Sequence, residues 1–287
     1  MAETAAQKVL HTSGIDGLYV DPKAIAAQND ILVQAKPDAA AGVSGALIKA
    51  GDQFGILYAT HIPSSGFQRF SIAHELGHYF IEGHADALLE NNNIHQSRAG
   101  FISADPYEQE ADYFAAALLM PERPFTRALD DHAPGLASVD ALSEACDTSL
   151  TATAIRYAGL TPDGVAVILS IGQSVDWCFM SDGLKQAKGL SWLRKDSPLP
   201  AATLTTTFNA DAENVRTAQR ATGEGRLNDW MDGERVYRVT EEVVGLGQYG
   251  RTLTVLTCSA LSGRGDRDDD DEDDEDELIE RWTPRFR

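Results

Sequence analysis

The chain has 287 residues, and its 43% hydrophobic content excludes a wholly disordered protein. Its length is sufficient for two domains. Lysine and arginine number 24 against 44 acidic residues, so the formal charge of −20 argues against non-specific binding to DNA or an anionic membrane, although a local basic patch would still permit it.

Targeting signals and cysteine pairs are both missing from the sequence. No apolar run reaches the ~20 residues that cross a bilayer, and the N-terminal segment MAETAAQKVL lacks the pattern of a signal peptide. Cys146, Cys178 and Cys258 are far apart and form no CxxC pair, so neither a disulfide framework nor a thiolate zinc cluster is expected. These features predict a cytoplasmic protein with no membrane partner.

Residues 1–125 alternate helix and strand signals, which predicts an α+β fold for a first domain. Asp21-Pro22 is typical of a helix start, and this helix is expected to run through Gln28. Three segments that favour strands are expected to form a small antiparallel sheet. They are ILVQ (31–34), SGALIK (44–49) and FGILYA (54–59), with a hairpin turn between the last two.

Two further helices are expected on either side of a long polar loop. Residues 70–81 carry apolar side chains at a spacing closer to the helical than to the alternating period. Asp105-Pro106 combines an N-cap with proline at the first helical position, and predicts a helix that runs to Met120. Residues 84–104 between them are expected to form a loop of the kind that serves as a lid or mobile segment.

The character of the sequence changes again after residue 125. In residues 126–160 the stretch SVDALSEACDTSLTATAIRYAGL is typical of two short helices around a tight turn, with Ser138 as the cap of the first. This pattern predicts a helix-turn-helix-like segment. Its second helix offers only Arg156 as a basic residue, which favours a packing role over DNA binding.

The last part of the chain predicts a second domain and a tail. Residues 161–262 contain segments rich in Val, Ile, Thr and aromatic residues, and predict a β-containing C-terminal domain. Residues 263–287 include ten consecutive acidic residues and predict a disordered, solvated tail. The alternative for the tail is a mimic of nucleic acid that covers a basic partner or the protein's own cleft.

The sequence His74-Glu75-Leu76-Gly77-His78 matches the pattern HExxH on the predicted helix. Residues four apart on a helix share a face, so two imidazoles can bind one cation. Glu75 lies beside the first histidine, where it can act as a general base without being a ligand. Such a short pattern also occurs by chance, and a third ligand is needed to support it.

Zinc sites of this kind need a third protein ligand and one position open to water, and three residues could supply the ligand. His84 has metzincin-like spacing, but that motif requires glycine where Ile81 stands. His95 lies in the expected loop with no spacing rule in its favour. Glu108 is preferred because Glu108 and Asp112 are four apart in EQEAD, so that one carboxylate can bind metal while the other orients a ligand. Glu108 would equally suit a capping box.

The segment GFQRFSIAHELGHYF, followed by EQEADYFAAALLMP, resembles the ImmA/IrrE family of metallopeptidases. The resemblance covers roughly residues 15–125, with a weaker likeness over 138–160. It implies a zincin-like N-terminal peptidase domain, a short helix-turn-helix-like segment and a β-rich, sensor-like C-terminal domain. It also implies a gluzincin-like site in which His74, His78 and Glu108 hold Zn²⁺.

The resemblance further implies a zinc-dependent endopeptidase that cleaves a helix-turn-helix transcriptional repressor and derepresses stress, DNA-damage, mobile-element or defence genes. Glu75 would be the catalytic base, and Asp112 would orient His74 or His78. The substrate is expected to bind as an added strand along an exposed sheet edge, for which FGILYA is the candidate. An oxyanion donor is also expected, without a choice among His95, Tyr107 and Tyr157.

Other functions remain open at this point. The protein could be a non-proteolytic regulator that binds a repressor, although the intact Glu75 speaks against this, or a toxin-like component of a toxin-antitoxin pair. The segment KQAKGLSWLRK (185–195) mixes cations with Trp192, so the C-terminal domain could bind single-stranded nucleic acid, and a small-molecule activator is the other candidate. A solvated turn with a core tryptophan would have the same composition.

Overall fold

The computed structural model describes residues 1–36, 43–61, 63–90, 92–97 and 104–261. The described residues form twelve α-helices and two β-sheets, which confirms the predicted α+β class. Among these helices, none combines the length and the apolar character needed to span a lipid bilayer. The acidic tail predicted at 263–287 lies outside the described residues.

The elements up to the second predicted active-site helix are α1 (Ala2–Thr12), α2 (Pro22–Gln28), β1 (Leu32–Lys36), β2 (Gly45–Ala50), β3 (Gln53–Ala59), α3 (Ser65–Phe80), α4 (His84–Leu89), β4 (Ile94–Ser97) and α5 (Pro106–Leu119). They are followed by α6 (Glu122–Leu129), α7 (Leu136–Cys146), α8 (Leu150–Leu160), β5 (Gly164–Ile171), β6 (Ser174–Met180), α9 (Asp182–Lys185), α10 (Leu204–Asn209), α11 (Ala212–Arg216), β7 (Arg220–Arg226), α12 (Leu227–Met231), β8 (Arg238–Gly245) and β9 (Arg251–Cys258).

Helix starts were the local features that the sequence indicated best. The Asp21 side chain accepts a hydrogen bond from the Lys23 amide at the start of α2, and Asp105 does the same for Tyr107 at the start of α5. The predicted cap Ser138 is wrong. α7 begins earlier, after Gly135, and the Ser138 hydroxyl donates to the Ala133 carbonyl.

The first sheet has the strand order β1-β3-β2-β4 and is mixed, which corrects the prediction of an antiparallel sheet. β2 and β3 form the expected antiparallel hairpin, with Ala50 opposite Gln53, but β1 runs parallel to β3 along its other side. FGILYA in β3 is therefore an interior strand, and the prediction that it forms a docking edge is wrong. The expected loop at 84–104 contains α4 and β4, and β4 is an edge strand among the described residues.

One face of this sheet packs against α3. Leu47 of β2 and Ile56 of β3 are fully buried in a core with Leu76 of α3 and Phe114 of α5. Each such side chain contributes about 1.5–3 kcal/mol by leaving water. α3 is thus held between the sheet and α5, and α3 and α5 carry the residues of the predicted metal site.

The second sheet has the order β6-β5-β9-β8-β7 and is antiparallel throughout. Val167 and Leu169 on one face of β5 share a core with Tyr157 of α8, while Ile168 on the other face packs with Trp230. The helix-turn-helix-like segment therefore shares a core with this sheet. The domain boundaries at 125, 160 and 262 stay predictions.

Gly77 allows the close approach of α3 and α5. A Cβ atom at this position would lie 3.1 Å from the Ala111 Cα atom and 3.2 Å from the Phe114 Cδ1 atom. We expect Gly77→Val to lower the free energy of unfolding by about 1–3 kcal/mol, because the helices must separate to admit the side chain. Urea unfolding of the purified protein measures this change.

Gly159→Val is the matched control for this variant. Gly159 lies in α8 and is exposed, with open space where a Cβ would be. Valine has the higher helix propensity, so the control should change the free energy of unfolding by less than about 0.5 kcal/mol. Equal losses in the two variants would show that the α3–α5 contact does not depend on Gly77.

Candidate metal centre

α3 and α5 bring three buried donor groups together. The Ser64 side chain accepts from the Phe67 amide at the start of α3, and this helix places His74 and His78 one turn apart. Their Nε2 atoms are 3.1 Å from each other. Glu108 of α5 has Oε1 3.2 Å from the His78 Nε2 atom and Oε2 3.5 Å from the His74 Nε2 atom. Among the described residues, these three form the group that could hold a metal ion.

The spacing of these atoms fits a small tetrahedral cation. Ligand atoms about 2.1 Å from such an ion lie about 3.4 Å from one another. The measured separations of 3.1, 3.2 and 3.5 Å are close to that value. Two imidazoles and a carboxylate are also a donor set that zinc accepts in open sites.

The electrostatics of the group favour a single positive charge between the two rings. Burial lowers the pKa of His74, but its hydrogen bonds with Asp112 and Glu108 outweigh burial and raise that pKa to about 10. Burial lowers the pKa of His78 to about 4. Burial alone would raise the pKa of Glu108, but its three histidine neighbours, including His95, hold it well below its ordinary value.

Each of the three donor residues has its own protein partner. The Nδ1 atom of His74 lies 2.8 Å from Asp112 Oδ1, so the carboxylate that the sequence predicts as an orienting group faces His74. The Glu108 Oε1 atom lies 2.8 Å from the Nε2 atom of His95. The Nδ1 atom of His78 lies 3.3 Å from Nδ1 of His84.

The two other residues considered as third ligands are thus placed differently. His84 contacts the side of His78 that faces away from Glu108, and it lies outside the three-donor group. His95 lies on β4 and not in a loop, and its ring packs edge-on against His78 with centroids 4.9 Å apart. His95 is a partner of Glu108 and lies outside the three-donor group.

Glu75 is fully buried beside this group. Within the described residues, neither of its carboxylate oxygens makes a hydrogen bond of good geometry, although the buried Ser97 hydroxyl nearby partly offsets the effect of burial on its pKa. Its space is provided by Gly45 of β2, where a Cβ atom would lie 2.6 Å from Glu75 Oε1. Burial raises the pKa of Glu75 to about 7, despite the nearby His74. An unpaired buried carboxylate opposes folding, which makes it a candidate for a functional role.

Hydrogen bonds and an ion pair connect the N-terminal half of α3 to the turn between α7 and α8. The Arg69 guanidinium donates to the carbonyl of Cys146 and forms an ion pair with Asp147 at 3.4 Å. The Ser65 hydroxyl donates to the Asp147 carboxylate, and Gly66 lies directly against Ser149. The sequence reasoning missed this contact. The arginine in an otherwise apolar stretch of α3 was the signal that could have indicated it.

Arg156, the basic residue of α8, is engaged inside the protein. Its guanidinium donates to Glu3 at 2.8 Å and to the Met120 carbonyl at 3.1 Å. Tyr157 has its hydroxyl bonded to the Gly135 amide in the core around α8, so Tyr157 does not reach the metal site. Tyr107 packs edge-on against His84. The contacts of Arg156 and Tyr157 favour the packing role predicted for the helix-turn-helix-like segment.

The basic segment of the C-terminal part is partly neutralised. Lys185 pairs with Asp182 at 2.7 Å, and Lys195 pairs with Asp176 at 3.6 Å. Trp192 is 50% exposed, so the alternative of a core tryptophan is wrong. Binding of single-stranded nucleic acid or of a small-molecule activator stays a prediction.

The fold and the site together define an α+β protein with a helix-borne, buried group of two histidines and a glutamate. Residues 26–156 match the Peptidase_M78 family, described as the IrrE N-terminal-like domain. This match supports an ImmA/IrrE-family assignment for that part of the chain. A family of this kind suggests a metallopeptidase.

A solved structure, a transcriptional regulator from Mycobacterium tuberculosis, shares the fold with a TM-score of 0.55. The likeness covers 90% of this chain and 76% of that one at 16% identity, so it shows the fold alone. No curated protein matches this sequence at a significant level.

The buried Glu75 predicts a pH-dependent stability of the metal-free protein. The pKa of Glu75 is raised from 4.5 to about 7 in the folded state, so its charged form opposes folding above that value and the cost fades as the pH falls. With a chelator present, we expect a change from about pH 8 to about pH 5 to raise the free energy of unfolding of the wild type. The rise should exceed that of Glu75→Gln by about 2–3 kcal/mol. Urea unfolding at both pH values measures this difference. The same pH dependence in both proteins would contradict the assigned shift.

Proposed function

We propose that the protein is a zinc-dependent endopeptidase with a zincin-like arrangement, and that its substrate is a helix-turn-helix transcriptional repressor. The observation that carries the proposal is the buried, unpaired Glu75 beside a two-histidine, one-glutamate group. A metal site with a purely structural role has no need of such a carboxylate. The family match over residues 26–156 supports peptide hydrolysis, and the name of the structural neighbour fits a role in transcription control.

His74, His78 and Glu108 would hold the zinc ion. Bound there, the ion would lower the pKa of a water molecule and polarise the carbonyl of the scissile peptide. Glu75 takes a proton from the attacking water and later gives it to the leaving amine. Its burial suits this task, because a pKa of about 7 allows both acceptance and release near neutral pH. Asp112 holds the ring of His74 through its Nδ1 atom.

β4 is the strand on which we propose that the substrate docks. It is at the edge of its sheet among the described residues, and it carries His95 to the side of Glu108. An extended peptide that adds to β4 would have main-chain partners along Ile94–Ser97. A peptide bound in this way would have its backbone beside the proposed metal group. It would also be close to Glu75, which contacts Gly45 of the neighbouring β2.

The role of Glu75 is tested with a candidate substrate, a purified helix-turn-helix repressor from the same organism. We expect the zinc-loaded wild type to cut that repressor and Glu75→Gln to cut it at least about 100-fold more slowly, because a general base contributes that much or more. Mass spectrometry of the products and metal analysis of both proteins provide the measurements.

Glu82→Gln is the control for this experiment, because Glu82 is exposed near the end of α3. It should leave cleavage unchanged. Undiminished cutting by a zinc-loaded Glu75→Gln variant would refute the assigned base. A wild type that binds the repressor without cutting it would favour the non-proteolytic regulator.

The role of Glu108 is tested by metal affinity. We expect Glu108→Ala to weaken zinc binding by more than about 100-fold, since loss of a group that only orients a ligand already costs roughly 10–100-fold. Competition with a chromogenic chelator measures the dissociation constant, and Glu82→Ala is the control. Equal retention of zinc by Glu108→Ala and the wild type would show that Glu108 is not a zinc ligand and serves only to cap α5.

A further inference from the structure

A second histidine lies behind His78 and is itself held by a carboxylate. His84 is almost fully buried at the start of α4. Its Nδ1 atom faces Nδ1 of His78 at 3.3 Å, and its Nε2 atom lies 2.9 Å from Glu110 Oε2. The ring of Tyr107 packs edge-on against His84 with centroids 4.9 Å apart. A continuous line of contacts therefore runs from Glu110 through His84 to His78.

A tight turn puts His84 in this place. α3 ends after Phe80, and Gly83 adopts the left-handed conformation with φ of +83°. The His84 amide donates to the Ile81 carbonyl across this turn. The chain is thereby reversed within a few residues, so that a side chain only six positions after His78 packs beneath it.

The chemistry of this line fixes where each proton lies. A neutral imidazole has one N–H donor and one acceptor nitrogen, and an ionised carboxylate only accepts. Glu110 therefore requires a proton on Nε2 of His84, which leaves Nδ1 of His84 as an acceptor. His78 must then donate from its own Nδ1 atom. This tautomer leaves the lone pair of His78 on Nε2, the atom that would face a bound cation. Without a cation, Glu108 at 3.2 Å competes for a proton on the same atom.

We propose that His84 and Glu110 are positioning residues for His78, which set its tautomer and the orientation of its ring for metal binding. This inference rests on the proposed function of the same site. It gives the two imidazoles unequal supports, because His74 contacts Asp112 directly whereas a neutral ring stands between His78 and its carboxylate. Both supports leave Nε2 free for the ion.

Cobalt(II) titration of the full-length protein tests the proposal. We expect His84→Leu to weaken cobalt binding by roughly 10–100-fold and to change the visible d–d spectrum, because His78 is no longer held in one tautomer and orientation. His84→Asn is the conservative variant, since its Oδ1 atom stands near the place of Nδ1 and can accept from His78. It should restore most of the affinity and the wild-type spectrum.

Glu110 is tested by the proton on His78 itself. The measurement uses a metal-free Glu108→Ala protein, which lacks the carboxylate that competes for a proton on Nε2 of His78. In this background, nitrogen-15 NMR of the histidine rings should show His78 protonated on Nδ1. Glu110→Ala removes the group that directs His84, so the His78 signal should shift towards a mixture of tautomers. The exposed Glu82→Ala is the matched control and should leave the signal unchanged. Urea unfolding of each variant checks that the fold is retained.

The outcomes separate the two proposals. Wild-type affinity and spectrum in His84→Leu, or an unchanged His78 tautomer in Glu110→Ala, would overturn the positioning role. A wild type that binds neither cobalt nor zinc would overturn the proposed function, and the tautomer measurement would still judge the line from Glu110 to His78.

Discussion

The site depends on the close packing of α3 against α5. Gly77 stands between His74 and His78 of α3, and its lack of a side chain lets Ala111 approach at van der Waals distance. Ala111 in turn lies between Glu108 and Asp112 of α5. The same contact therefore sets His74 opposite both carboxylates and His78 opposite Glu108. Since packed interiors deform little, a small change in this helix spacing would move every donor atom at once.

Burial of so many ionisable groups is costly, and the arrangement of partners explains how the fold tolerates it. Asp112, His95 and His84 each contact one donor residue, so the oriented hydrogen bonds replace those that water would provide. Glu75 is the exception within the described residues, because its oxygens have no such partner. This contrast between the three supported donor groups and the unsupported Glu75 is the reason for which we propose a functional role for Glu75.

The sequence predicts the features that follow from the periodic spacing of residues within one helix. It does not predict those that depend on contacts between elements distant in the chain. The pairs His74 and His78, and Glu108 and Asp112, are each four apart on a helix, so their shared faces follow from the sequence. The support of His78 by His84 depends on the reversal at Gly83, which no spacing rule contains. The sequence predicts an edge at β3 because nothing local shows that β1 returns alongside it in parallel, and β4 is too short for a clear strand signal.

The helix-turn-helix-like segment connects the metal centre to the second sheet by direct packing. At one end, Asp147 in its turn holds α3 through Arg69 and Ser65. At the other end, Tyr157 of α8 shares a core with Val167 of β5. Arg156, the basic residue of α8, donates to the Met120 carbonyl and to Glu3, which favours a packing role for it. The segment thus packs against both the N-terminal half of α3 and the second sheet, so the helix that carries His74 and His78 is connected to β5 by a continuous series of contacts.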